Sequence, residues 1–299
     1  MKILNLFNKH NSPQHSGIAP VSALTGKPVI HFAHANGMPS RVYQPLFDIL
    51  ADRFTVVFIP IMGADTEKYP VDNHWDKLVN QVLDSVQETC QAHQVSRVIG
   101  LGHSLGALCT LRAIYRQPKH FAQAVLLDPP LIYGYRSFIW HLAKIGHRFG
   151  FSQGVNKMSP AGVSRYRRDV WDNREQAYQS LRHKKFFKKF HERCFQGYIE
   201  HGLTERADGK FTLTYPKDRE VAVFETNPSL YWLTPNQPPA VPVQWIVGED
   251  SLFYYYQFPH KVKKRLNIPF ITHQGGHMFP LEYPEEVAHQ IISCIDSQS

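Results

Sequence analysis

Gly102-His103-Ser104-Leu105-Gly106 is the feature that most narrows what this chain can fold into. It joins a β-rich run, Arg97-Val98-Ile99-Gly100-Leu101-Gly102, to a helical pattern from Leu105 to Arg116 that stops before Pro118. A serine flanked in this way reads as a tight strand-to-helix turn. The glycines let the backbone pass without Cβ clashes, and the Ser104 hydroxyl stands above the sheet at the helix N-terminus. There the helix dipole favours a developing negative charge.

Strands and helices alternate on both sides of that turn. Pro28 to Ala35 and Phe54 to Met62 are short β-branched or aromatic runs bounded by Gly and Pro, as expected of central strands buried on both faces. Trp75, Leu78, Val79, Val82 and Val86 recur at helical spacing on one face. Ala124 to Asp128 forms another strand, closed by Pro129-Pro130. Later come a strand from Val243 to Val247, a helix from Pro259 to Leu266, a strand from Phe270 to His273 and a closing helix from Pro284 to Ile295. The fold class is therefore α/β, a mostly parallel central sheet flanked by helices.

Charge marks where that pattern is interrupted. The net charge is +8, but between Gly134 and Glu220 there are 18 Lys+Arg against 9 Asp+Glu, leaving 15 against 16 elsewhere. The middle is helical, aromatic and basic, so residues 1–130 and 239–299 read as the core and 131–238 as an inserted, mainly helical cap. Within the insertion, Arg182 to Tyr198 predicts a basic amphipathic helix with Phe187, Phe190, Cys194 and Tyr198 on one face and Lys184, Lys185, Lys188 and Lys189 largely off it. Such a helix covers a pocket or makes weak contact with an anionic membrane surface. Charge alone, without a recognisable motif, does not support nucleic-acid binding.

Several classes drop out. Apolar runs such as Val56 to Met62 fall short of the roughly 20 residues of a membrane span. Met1 to Asn8 lacks the features of a secretory signal, so a cytoplasmic location is expected. Cys90, Cys109, Cys194 and Cys294 lie far apart without a C-x-x-C pair, which predicts free, mostly buried thiols, no metal site and no cofactor.

Gly102-His103-Ser104-Leu105-Gly106 and His34-Ala35-Asn36-Gly37 together resemble two motifs of the α/β-hydrolase superfamily, its nucleophile elbow and its His-Gly oxyanion loop. Ala35 stands where the family usually has glycine. The resemblance spans about residues 28–130 and 240–295, and the insertion falls where such hydrolases carry a cap. It implies Ser104 as nucleophile, the backbone N–H groups of Leu105 and Asn36 as oxyanion donors, and His277, in Gly275-Gly276-His277-Met278, as general base. His103 and His34 read as structural residues beside the site. Two carboxylates compete for the triad acid. Asp250 follows the strand where most members keep it, but comes one residue early and leaves Ser251 in the usual slot; Asp128 matches the alternative position used by some lipase-like and esterase branches, and is preferred.

The expected function is a serine hydrolase acting on a small carboxylic ester or thioester through an acyl-serine intermediate. C–C bond hydrolysis or cofactor-free haloperoxidase or perhydrolase chemistry on the same triad is the alternative. A non-catalytic binding protein on the same scaffold is the second. The Ser104 side chain at the nucleophile position excludes the relatives that need aspartate there.

Overall fold

A computed structural model describes residues 26–230 and 237–298. The N-terminal reading of Met1 to Asn8 lies outside the described residues. Before the insertion the chain forms β1 (Val29–Ala33), α1 (Gln44–Leu50), β2 (Thr55–Phe58), α2 (Asp76–Ala92), β3 (Val98–His103), α3 (Leu105–Arg116) and β4 (Phe121–Leu127). β2 ends four residues before the expected Met62, because Pro60 has no N–H to donate to a ladder. The Pro60 carbonyl instead accepts from the Ser40 N–H at 3.1 Å.

The insertion contributes α4 (Tyr135–Arg148), α5 (Gln153–Met158), α6 (Ala161–Tyr166), β5 (Val170–Trp171), α7 (Arg174–Arg182), α8 (Glu192–His201), β6 (Leu203–Glu205), β7 (Phe211–Leu213) and α9 (Lys217–Thr226). The three strands pair antiparallel in the order β5-β7-β6. The continuous helix expected from Arg182 to Tyr198 is corrected: α7 stops at Arg182 and α8 starts at Glu192, with turns between. Arg182 holds the turn by donating to the Phe187 and Phe190 carbonyls at 3.2 and 2.9 Å, and the His191 N–H donates to the Leu281 carbonyl at 2.8 Å. Phe187, Phe190, Cys194 and Tyr198 are nevertheless all buried, while the four lysines are exposed. Helical spacing thus identified the inward residues of a segment that reverses direction instead of coiling.

The chain returns through β8 (Val243–Gly248), α10 (Leu252–Tyr255), α11 (Phe258–Leu266), β9 (Phe270–His273), α12 (Phe279–Glu282) and α13 (Pro284–Ser297). The main sheet has the order β2-β1-β3-β4-β8-β9, and every pair is parallel. Alternate side chains feed opposite faces, as the two-residue period of a strand requires. Ile30, Phe32, Val125 and Leu127 join one core with α1, α13 and the buried aromatics of α8, whereas Val57, Ala124, Leu126 and Trp245 join another with α2, α3 and α11. At roughly 1.5–3 kcal/mol for each fully buried large apolar side chain, either layer alone is a substantial driving force. All four cysteines are free and buried. Among the described residues no helix is long and apolar enough to cross a membrane.

Candidate active site

The site lies at the carboxyl ends of the parallel strands, where an α/β sheet opens a crevice. Ser104 follows β3 directly and occupies φ 53°, ψ −115°, a conformation that costs a non-glycine residue on the order of 1–3 kcal/mol. Close packing on both sides holds it there. A Cβ on Gly106 would sit 2.0 Å from the Ala33 carbonyl oxygen, and one on Gly102 would sit 2.6 Å from the Ala107 nitrogen. The Ser104 N–H donates to the Leu127 carbonyl at 2.9 Å, tying the turn to β4.

His277 sits in the loop between β9 and α12. Its Nε2 is 2.8 Å from Ser104 Oγ, and its Nδ1 is 2.7 Å from Asp128 Oδ2. Gly248 makes that loop position possible, since a Cβ there would lie 2.5 Å from the Gly276 carbonyl oxygen. The ring also meets Phe253 edge-on, with centroids 5.3 Å apart. Asp128 leaves the end of β4 at φ 41° and is completely buried. Burial pushes its carboxyl up from the ordinary range, opposed by the hydrogen bonds from His277 and Ser251. The Ser251 hydroxyl donates to Asp128 Oδ2 at 2.6 Å. Asp250 is exposed instead and faces Lys189 at 3.9 Å.

The loop after β1 carries Asn36. The His34 carbonyl accepts from the Gly106 N–H at 3.1 Å, which fixes this loop against the first turn of α3. Leu105 is the first residue of that helix, so its N–H has no acceptor within the helix. His34 itself is buried; Nδ1 donates to the Ala35 carbonyl at 2.7 Å and Nε2 accepts from the Met62 N–H at 2.6 Å. Burial lowers its pKa to about 4, so the ring is neutral. The insertion grips the same loop, where Asn36 Nδ2 donates to the Glu220 carbonyl at 3.0 Å. The Glu220 carboxyl, buried between Ser164 and Arg167, stands where a Gly37 Cβ would come within 2.8 Å.

His103 links the two loops. Its Nε2 lies 2.9 Å from the His277 carbonyl, which can only accept, so Nε2 carries the proton. Nδ1 then accepts from the Tyr43 hydroxyl at 2.7 Å, and that oxygen accepts from the Ala35 N–H at 3.4 Å. Burial, with His277 nearby, holds the His103 pKa well below the ordinary value, which keeps this proton arrangement in place. Tyr43 carries no signal in the sequence that could have found it. Ser251 had one, since it occupies the usual acid slot.

A hydroxyl, an imidazole and a buried carboxylate in this order can move one proton and turn the serine oxygen into a nucleophile. Among the described residues no cluster of three or more His, Cys, Asp or Glu could hold a metal ion.

Comparison with known proteins agrees with this architecture. The chain is 26% identical over 193 residues to the type I acyl-CoA thioesterase mpaH of Penicillium roqueforti, covering 60% of this chain and 40% of that protein. It therefore spans about two-fifths of the length of that relative. In fold it is similar to E-2-(acetamidomethylene)succinate hydrolase, with TM-score 0.68, 18% identity and coverage of 90% of this chain and 92% of the other. It is also similar to the peroxisomal α/β-hydrolase Lpx1 of Saccharomyces cerevisiae, with TM-score 0.69, 17% identity and coverage of 94% and 80%. The model of the alpha/beta hydrolase family matches residues 32–290, a stretch that contains the serine turn, the buried carboxylate, the histidine loop and the whole main sheet except its first three residues, and the chain belongs to that family.

Proposed function

We propose that this chain is a serine hydrolase that cleaves a carboxylic ester or thioester through an acyl intermediate on Ser104. The observation that carries the reading is the run of two short contacts, Ser104 Oγ to His277 Nε2 at 2.8 Å and His277 Nδ1 to Asp128 Oδ2 at 2.7 Å. His277 takes the serine proton as Oγ attacks the acyl carbon. Asp128 accepts from Nδ1–H throughout, which fixes the tautomer and stabilises the imidazolium that forms. The tetrahedral oxyanion is received by the backbone N–H groups of Leu105 and Asn36, the first of them at the positive end of α3. Imidazolium then returns the proton to the leaving alcohol or thiol. Water attacks the acyl-serine by the same route in reverse, with His277 again as base.

A thioester substrate draws support from the similarity to an acyl-CoA thioesterase, and the serine turn serves an oxyester and a thioester alike. The test combines labelling with turnover. A fluorophosphonate should modify Ser104, identified by peptide mass, and a panel of p-nitrophenyl esters and acyl-CoA thioesters should be hydrolysed by the parent chain. Ser104→Ala should lose both properties. Full turnover by that variant would overturn the proposal.

A further inference from the structure

α4 is amphipathic in the reverse sense for a helix lying on a protein. Its inward residues are Ser137, Trp140 and Lys144, with the Lys144 ammonium donating to Asn73 Oδ1 at 2.8 Å and the Asn227 carbonyl at 3.0 Å. Its outward residues are Tyr135, Phe138, Ile139, Leu142 and Ile145, each between 40% and 63% exposed. They recur at three- and four-residue steps and so form one continuous apolar stripe. The stripe runs on into Phe149 and Phe151, which are 76% and 75% exposed, and α6 adds Val163 and Tyr166 at 79% and 83%. Single exposed apolar residues are ordinary, but a contiguous stripe of this kind on a soluble surface marks an interaction site.

Charge selects the partner. From Gly134 to Arg168 there is no Asp or Glu. Arg165 and Arg167 are tied to Glu225 and Glu220 from α9, Lys144 faces inward, and Arg168 turns to β5 and α7, where it donates to the Val170 carbonyl and to Gln176 Oε1, which leaves Arg136 and Arg148 on α4 and Lys157 on α5. Arg136 lies over the Tyr256 ring at 3.7 Å and so joins this surface to α10, where Leu252 and Tyr255 are exposed. Aromatic and aliphatic side chains on one face, accompanied by arginine and lysine and with the neighbouring Glu220 and Glu225 largely buried and paired with Arg167 and Arg165, fit the headgroup region of an anionic bilayer.

We propose that the exposed face of α4 to α6 docks on an anionic lipid surface, inserting the Phe149-Gly150-Phe151 corner and the α4 stripe. This differs from the contact expected of Lys184 to Lys189, where Phe187 and Phe190 are buried and Phe186 is the single large apolar side chain left exposed.

Co-sedimentation of the full chain with sucrose-loaded vesicles tests it, using phosphatidylcholine alone or mixed with phosphatidylserine. Binding should need phosphatidylserine and weaken with salt. Arg148→Gln should reduce affinity by about fivefold. Leu142→Ser combined with Phe149→Ser should reduce it by about tenfold or more, with an unchanged circular dichroism spectrum because both residues are exposed. The proposal is overturned by an absence of binding at low salt, by equal binding to neutral vesicles, or by loss on Lys184→Gln with Lys188→Gln but not on the Leu142/Phe149 pair. A concentration-dependent dimer that Leu142→Ser dissolves would assign the face to a second copy of this chain and overturn it equally.

Discussion

α3 and α4 each follow a strand of the main sheet, yet they treat their apolar residues in opposite ways. α3 lies between β1, β3 and α2, and from Leu105 to Ile114 only Arg112 is not fully buried. α4 buries Trp140 but turns its other large apolar residues to solvent and a lysine inward. Around α3 nearly every atom has one permitted place, which is what a strained serine turn needs to persist. The first part of the insertion, α4 to α6, is tied down by local polar contacts and a small apolar cluster of Trp140, Val155, Ala161 and Val221, while α7 and α8 bury their apolar residues in the main core. Rigidity is concentrated where geometry must be kept, and the apolar surface is left where contact with something else can use it.

The largest test of that contrast is Asp128→Asn. The amide leaves the fold intact but cannot stabilise an imidazolium, and kcat should fall by about 10⁴-fold. Asp250→Asn, at an exposed position facing the insertion, should change kcat by less than about twofold. Similar losses for both would break the distinction between the buried and the exposed carboxylate.

Glycine substitutions come next. Gly106→Ala drives a methyl group into the Ala33 backbone and should cost about 3 kcal/mol in denaturant unfolding. Gly150→Ala has φ +90° but open space around its Cβ, so only the conformational cost of about 1 kcal/mol applies. Equal costs would mean that packing is no tighter at the elbow than in the insertion. Ser251→Ala removes one hydrogen bond to a buried carboxylate, and about a tenfold loss in kcat should follow.

The last effect belongs to the insertion. Burial lowers the Lys144 pKa from 10.5 to about 8. Between those values the unfolded chain holds a proton that the folded chain has released, so stability should rise with pH across that window. Lys144→Met should flatten the rise, as followed by thermal unfolding. A rise that persists in the variant would assign it to another group.

Most of the main sheet was legible because both-face burial produces short β-branched runs that glycine and proline delimit, as at Val98 to His103. The serine turn was legible because only glycine tolerates the approach seen at Gly106. Tyr43 was not, since it reaches His103 across 60 residues of chain by a contact with no periodic signature. The interval from Arg182 to Tyr198 misled because helical spacing reports which residues face one way, and a reversing turn can satisfy the same requirement. For α4, periodicity reveals a stripe but not which side of it meets the protein.

The antiparallel and helical elements of the insertion leave the sheet at the end of β4 and return at β8, and those two strands are hydrogen-bonded neighbours. The ends of the excursion are thus already pinned side by side, whatever lies between them. Closing such a loop costs only about 0.6 kcal/mol more for each doubling of its length. A chain built this way can lengthen, shorten or exchange the intervening stretch with little penalty to the sheet, so that stretch can diverge while the ends of β4 and β8, with Asp128 and Ser251 just beyond them, stay in register.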